Sequence, residues 1–420
     1  MKHSTRKARF AAIVSVAAAS AIVLVGCSSP SSTSDAGSLK GNVRILANIT
    51  PVLTKAYYQK LVAPFVKSHP GVSVTIESPS GKDVQSTLQQ ELASGSTPDI
   101  VASSLDAVVA SQMTPFPDAK WVKATPLYNT NEVNGKVWAV ATGVQIKSLV
   151  FYNQTAFDKA GITSTPKSLA DFTTDLNKLT AAGYVGFQTS GDWVTSAQFG
   201  MMADPAVIGK DFNWYTKRNA KKVTFADSAY NTYLEAYESW VKSGAIPKNS
   251  LGETYQNTLD NFLAGKSGMY VMGNWFVASA DAAKNLPFKI GVFPTPTPDG
   301  STPKQEGGTA QPYSILKASK HQALDLALVK YLVSDKKAVA TSLASEGNFR
   351  AGYSYPGSAL NNAVAKLLDD APGTFNGTAP GLNPAFGNEE TIAVQSLITG
   401  KSASQAAKTL DTWWDTNANQ

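Results

Sequence analysis

Hydrophobic and polar positions follow two rhythms along this chain, and each change of rhythm marks an element. Val43-Arg44-Ile45-Leu46-Ala47 has the pattern of a short strand, and Asn48-Ile49-Thr50-Pro51 ends it as a loop. From Thr54 to Lys67 the residues Ala56, Tyr57, Leu61, Phe65 and Val66 recur at the spacing of one buried helix face. His69-Pro70-Gly71 stops that helix, and Val72-Ser73-Val74-Thr75-Ile76 alternates as a second strand. A helical pattern from Val84 to Ser94 breaks at Gly95 and precedes a strand at Ile100-Val101-Ala102. Strand and helix in this alternation predict a parallel sheet with helices on its faces. The rhythm resumes with a strand at Leu149 to Tyr152, a helix at Leu169 to Ala181 and a strand at Tyr184 to Phe187. There is no internal repeat, and the pattern leaves open which strands are neighbours.

The first residues obey neither rhythm. Lys2, Arg6, Lys7 and Arg9 precede an uncharged apolar run from Phe10 to Val25 that ends in Leu24-Val25-Gly26-Cys27. A basic start, an apolar core and small residues before a cut site read as an export signal. The run is shorter than the ~18–20 apolar residues that span a bilayer; an uncleaved anchor and a buried helix are the other readings. Leu-Val-Gly-Cys resembles the lipobox of bacterial lipoproteins. That resemblance implies a signal peptide over residues 1–26, acylation of Cys27, and a protein held by lipid on the extracytoplasmic face of the cell membrane. Cys27 is the only cysteine, so no intrachain disulfide can form. Residues 27–39 are Ser-rich, with Pro30, Asp35 and Gly37, and read as a flexible tether.

Composition sharpens this picture in two places. Without the signal 394 of 420 residues remain, enough for two or more domains with full cores. The signal carries four of the 37 basic side chains and no acid, so the formal charge of +6 falls to +2 without it. Nothing there asks for a nucleic-acid partner. Lys217, Arg218, Lys221 and Lys222 form one basic cluster, expected to be a solvated loop. No second apolar run reaches membrane-spanning length.

Several segments, in order, resemble the extracellular solute-binding proteins of ATP-binding-cassette importers, of the sugar-binding type (family 1). They are Phe65 to Val72, Ala93-Ser94-Gly95-Ser96-Thr97-Pro98-Asp99-Ile100-Val101, and Asn134 to Trp138 followed by Leu149 to Asn153. Phe157 to Ile162, with Pro166 and Leu169 to Phe172, continues the likeness, and Gly268-Met269-Tyr270-Val271-Met272-Gly273-Asn274-Trp275 closes it. The resemblance implies an α/β, periplasmic-binding-protein-like (type II) fold of two lobes, with a hinge and an interlobe ligand cleft. Carried onto this chain, lobe 1 is 40–148 and 294–335, and lobe 2 is 149–293 and 336–420. The run Phe293-Pro294-Thr295-Pro296-Thr297-Pro298 suits a return crossing, because prolines stiffen an extended segment and cannot complete a central ladder. A plain surface loop is the alternative.

A sugar presents an apolar C–H face and a polar hydroxyl edge, so aromatic plates with amide or carboxylate partners suit it. The chain has eight Trp and 15 Tyr against three His, a balance that favours stacking over metal or acid–base chemistry. Trp275, just past a strand, is the first candidate plate, with a core tryptophan as the other reading. Trp193 lies where the resemblance implies a second aromatic, with a core or surface position as the other reading. Trp413 and Trp414 are adjacent and are assigned to packing. Asp106 follows the Ile100 strand by one loop, where the family commonly places a hydroxyl acceptor; a helix cap is the alternative. Asn48 ends the first strand, at the crevice edge or in a turn. Gln145 lies in the crossing between lobes. Gly308, in Gly307-Gly308-Thr309, and Tyr313 resemble the family's Gly-Gly stretch beside the solute. Arg350 is a bidentate donor or a structural ion pair, and Asp99 is assigned to fixing its turn.

Enzyme motifs are absent: there is no Gly-x-Ser-x-Gly elbow and no phosphate-binding Gly-rich loop. His69 and His321 fall in a helix-ending turn and at a helix start, which leaves no triad or zinc pattern. No catalytic residue, metal or cofactor is expected. The resemblance implies a monomer that binds a carbohydrate, an oligosaccharide by preference, and hands it to membrane permease subunits. A polyol, glycerol phosphate or peptide receptor of the same fold is the alternative, and an extracellular glycoside hydrolase, needing only two carboxylates, the next.

Overall fold

The computed structural model describes residues 39–80, 83–105 and 107–418. Cys27, with the signal and most of the tether, lies outside the described residues, as does Asp106. From Gly41 onward the elements follow the predicted order: β1 (Gly41–Ala47), α1 (Lys55–Ser68), β2 (Val72–Glu77), α2 (Val84–Ser94) and β3 (Ile100–Ala102). Thr54 caps α1 by accepting from the Tyr57 amide. Asp83 and Ser86 form a capping box on α2, and Gly95 ends that helix in the left-handed conformation. β1 pairs in parallel with both β2 and β3. Val43, Ile45 and Ala47 pack towards α1, while Leu46 and Val101 pack towards Val84 and Leu88 of α2. Both faces of the sheet are therefore covered.

β4 (Val140–Ile146) then leads away from this sheet, antiparallel to the later β9 (Gln305–Leu316). Their register runs from Val140 opposite Tyr313 to Ile146 opposite Gly307. β9 also pairs antiparallel with β3, through Tyr313, Ser314 and Ile315. The first sheet is thus mixed where alternation alone predicts it parallel, because β9 enters from the opposite end.

The second sheet is built by β5 (Leu149–Asn153), α3 (Leu169–Ala181), β6 (Val185–Phe187), α4 (Val194–Ala203), α5 (Trp214–Asn219), α6 (Ala229–Lys242), α7 (Tyr255–Leu263), β7 (Ser267–Met272), α8 (Phe276–Ala282) and β8 (Ile290–Pro294). Its strand order is β8-β5-β7-β6, with β5 antiparallel to both neighbours. β5 and β6 are consecutive in the pattern yet separated in space by β7. Pro294 falls on the edge strand β8, where a missing N–H is tolerated. α9 (Gln322–Ser334) covers the first sheet, α10 (Lys336–Glu346) leads back towards the second, and α11 (Ala359–Asp370) packs beside β8. β10 (Thr374–Asn376) touches β9 in parallel, and α12 (Phe386–Ile398) and α13 (Ala403–Asn417) close the second core.

That second core holds Phe172, Phe187, Tyr237, Trp240 and Trp414, with Trp414 donating its indole N–H to Asn219 Oδ1 at 2.7 Å. The basic cluster is not a wholly solvated loop. Arg218 is only 2% exposed and pairs with Asp411 and Asp415 of α13 at 3.0 and 2.8 Å. Burying an arginine requires this pairing, and the acids it needs lie some 190 residues on, at |i−j| of 193 and 197.

The chain crosses between the two sheets three times: at Lys147–Ser148, between Pro294 and Gln305, and between Glu346 and Ala359. Backbone bonds lace the crossings together. The Lys147 amide donates to the Glu306 carbonyl at 2.9 Å, Thr295 to Ser148 at 2.9 Å, and Val144 to Phe349 at 2.7 Å.

Candidate functional site in the interlobe cleft

A cavity of about 570 Å³ opens where the two sheets meet. Ser103, Ser104 and Leu105, just past the carboxyl end of β3, form one wall. Gln145 on β4 and Gly308 and Thr309 on β9 line it between the sheets, and Asp204, Tyr215 and Glu390 come from the second core's helices and loops. In an α/β sheet such a crevice beyond the strand carboxyl ends is where ligands bind. Strand alternation decides which side chains enter: Gln145 faces this cavity, while its neighbours Val144 and Ile146 face the reverse of the hinge. A larger cavity of about 950 Å³ lies on that reverse side, walled by Phe212, Phe349, Tyr353 and Tyr355. The smaller one is the better candidate because charged groups of both layers converge there. At Gly308 an added Cβ would come within 3.2 Å of Lys147 Cε, so bare backbone faces the space.

The electrostatics are unusual for an open cleft. Lys147 Nζ pairs with the buried Glu306 Oε1 at 2.9 Å, which holds the ammonium charged. Asp204 has no such partner. Burial, then the charges of Glu306 and Glu390, push its carboxyl well above the usual range, against the pull of Lys147. Burial likewise pushes Glu390 up to about 7, although the Tyr230 hydroxyl donates to it. The Tyr215 phenol is driven up by burial and by Asp204, Glu390 and Glu306. Glu306 thus holds the ammonium, and Asp204 and Glu390 are held towards their neutral, proton-donating form. Such a wall suits uncharged hydroxyls and opposes a phosphate.

The remaining residues singled out in the sequence fall in three places. Trp275 is half-buried at the start of α8, its ring lying against the backbone of Gly273, where a Cβ would meet it at 2.0 Å. It lies beside Tyr255, whose ring centre is 5.1 Å from that of Trp193, and Trp193 is 46% exposed. Asp192 holds this corner by accepting from the Tyr255 amide at 2.6 Å and the Val194 amide at 3.1 Å. The trio does not line the cavity itself. Burial first, and the charge of Glu346 of α10 after it, raise both Tyr255 and Tyr57 of α1, and the Glu346 carboxylate accepts from Gln311 Nε2 at 3.2 Å. Gln311, in the left-handed region at φ 47°, accepts from the Tyr57 hydroxyl at 3.0 Å and donates to Ser345 Oγ at 2.9 Å. The sequence marks Tyr57 only as part of a buried helix face, and Tyr255, Gln311 and Glu346 carried no functional signal. Asn48 is exposed at the end of β1, with its amide donating to the Ala102 carbonyl at 3.0 Å.

Two expectations are corrected. Tyr313 is 1% exposed and packs in the first core beside Val140 and Ile315, because its position on β9 turns it towards the helices. Arg350 is neither an ion pair nor a cleft donor. Its guanidinium donates to the carbonyls of Val333, Thr142 and Ala124 at 2.8, 3.1 and 3.0 Å, and it borders the reverse cavity. Asp99 does fix its turn, accepting from the Arg44 amide at 2.8 Å.

Two α/β layers joined by three crossings around a cleft define the architecture of a two-lobed solute-binding protein. The model of the family described as bacterial extracellular solute-binding protein matches residues 50–339, and the chain belongs to that family. The melibiose/raffinose/stachyose-binding protein MelE of Bacillus subtilis (strain 168) is 25% identical over 286 residues, 66% of this chain and 65% of that relative. The match therefore spans just under two thirds of the relative's length. A solved chitin oligosaccharide binding protein superposes with a TM-score of 0.77 at 19% identity, covering 91% of this chain and all of the other. The solute-binding protein RafE in complex with raffinose does so at 0.73 and 17% identity, over 90% of this chain and 100% of its own.

Proposed function

We propose that this chain is the lipid-anchored, extracytoplasmic binding component of an ATP-binding-cassette importer, a monomer that takes an oligosaccharide between its lobes and presents it to a membrane permease. The observation that carries this reading is the cavity walled by both layers. A ligand that touches Ser103 and Gln145 on one side and Asp204, Tyr215 and Glu390 on the other gains its full contacts only when the lobes approach. The saccharides named for MelE and the solved neighbours support the cargo class. Gln145, Gly308 and Asp106 are assigned to the hydroxyls, Asn48 to the crevice edge, and Trp275 and Trp193 with Tyr255 to the faces of sugar units that extend beyond the cavity. The lobes are assigned as 40–148 with 294–335 and 149–293 with 336–420; the separate cores support this division except at α10, whose Ala338 packs in the first core ahead of the third crossing. No catalytic step is assigned. Asp204 and Glu390, two carboxyls with raised proton affinity in one cleft, are the observation that keeps a glycoside hydrolase as the second reading.

The test is a melting screen of the full chain in detergent, followed by tryptophan fluorescence, against raffinose, stachyose, chitin oligosaccharides, polyols, glycerol phosphate and short peptides. A ligand that binds the folded state alone raises the melting temperature by mass action. The expected result is a saturable rise with one saccharide class and that saccharide recovered intact. A rise with glycerol phosphate or peptide alone overturns the cargo, and consumption of the saccharide establishes the hydrolase.

A further inference from the structure

Asn274 stands between the end of β7 and Trp275, fully buried where two of the three crossings meet. Ile146 ends β4. Its amide donates to Asn274 Oδ1 at 2.6 Å, and its carbonyl accepts from the Asn274 amide at 2.8 Å. Both backbone groups of Ile146 are thus held by one residue of the second layer. Asn274 Nδ2 reaches the other way, to the Glu346 carbonyl at 3.1 Å, the Gly347 carbonyl at 2.8 Å and Asn348 Oδ1 at 3.0 Å. Those carbonyls lie at the end of α10, where a helix has no partners of its own to offer. A short planar amide supplies an acceptor on one edge and two donors on the other. Aspartate has no donor, serine a single one, and glutamine is a methylene too long.

We infer that Asn274 is a positioning residue for lobe movement: it fastens the first and third crossings to the second lobe, so bending takes place on the first-lobe side of this clamp. The inference rests on the two-lobed receptor reading. Between the clamp and the first sheet, β4 takes one more bridge, from Val144 to Phe349 of the third crossing; from Ala310 to Pro312, among the described residues, β4 and β9 pair only with each other before β3 joins at Tyr313. A two-stranded ribbon bends and twists more readily than a wide sheet. Trp275 follows the clamp directly, so a solute pressing on its ring acts one residue from the hinge.

The experiment is an interlobe distance measurement by spin labels on the full chain in detergent, with Cys27→Ser, Lys60→Cys on α1 and Lys284→Cys beyond α8. Both label sites are exposed. With no saccharide present, Asn274→Ala is expected to broaden the distance distribution roughly twofold, because a released crossing admits more lobe orientations. Trp275→Ala leaves it unchanged. Asp411→Ala, which weakens the second core away from the hinge, lowers the melting temperature without moving the distance, and so separates positioning from mere stability. Asn348→Ala removes one Nδ2 partner and leaves the Ile146 pair; it shifts the distribution less, in the same direction, and carries the test if Asn274→Ala does not melt cooperatively. A distribution indistinguishable from the unsubstituted chain, in a cooperatively melting variant, overturns the inference. Raffinose added to the unsubstituted labelled chain tests the receptor reading separately, since its failure to narrow the distribution leaves the saccharide-free comparison intact.

Discussion

Glu390 lies in the cleft wall against the Tyr230 hydroxyl, with the charges of Glu306 and Asp204 and the Tyr215 phenol nearby. Its proton affinity is raised from the ordinary 4.5 to about 7 by burial. Between those values the folded chain keeps a proton that the unfolded chain has released. Its contribution to stability is therefore complete below the unfolded value and is lost as the pH rises through about 7. Glu390→Gln should flatten that dependence. The difference in unfolding free energy between about pH 5 and about pH 8 should shrink by about 1–2 kcal/mol, discounted for the solvent that reaches a cleft residue. Urea unfolding at the two pH values reads it, and equal slopes in both proteins would remove Glu390 as the source.

At the scale of elements, the cleft's second wall depends on how α13 is fastened. Asp411 Oδ1 accepts from Arg218 Nε at 3.1 Å and the Phe225 amide at 2.8 Å, and Oδ2 accepts from the Ala226 amide at 3.1 Å. This one carboxylate ties the α5 segment, which carries Tyr215, to the helices beside Glu390. Asp411→Ala leaves the buried guanidinium with Asp415 as its one carboxylate and takes the acceptor from the Phe225 and Ala226 amides, and should cost about 1–3 kcal/mol in urea unfolding. Arg218→Met should cost clearly less, because an aliphatic chain fills the space and Asp411 keeps its two amide donors. Equal losses in the two variants would mean that the salt bridge itself, not the orphaned amides, sets the cost.

For the whole molecule the question is where it sits. On the proposed reading, the Leu24-Val25-Gly26-Cys27 signature is what holds the folded body near a membrane. A single acyl chain binds membranes only marginally, so the anchoring proposed for this chain calls for the multiple acylation a lipobox implies. Cys27→Ser should move the protein from the membrane fraction to the soluble one and leave its melting temperature unchanged. A substituted protein that still fractionates with membranes would transfer the anchoring to the uncleaved apolar run.

The elements themselves were legible in the sequence because their causes are local. Residues within four positions of one another form α1 and α2, and the caps at Thr54 and Asp83 act within three. β1, β3 and α3 are legible on the same ground. The family, too, was readable from short motifs in order. Only the tertiary structure decided which of those residues meet. Gln145 faces the cleft while Tyr313, on the strand paired with it, turns into the core, because neighbouring strands and covering helices choose the face. Arg350 is bound by carbonyls at 124, 142 and 333, and a backbone carbonyl has no side-chain signature to read. Asp204 and Glu390 lie nearly two hundred residues apart and acquire their shared electrostatics only by being buried together. Periodicity reports which residues are inside; long-range packing alone determines what they are inside with.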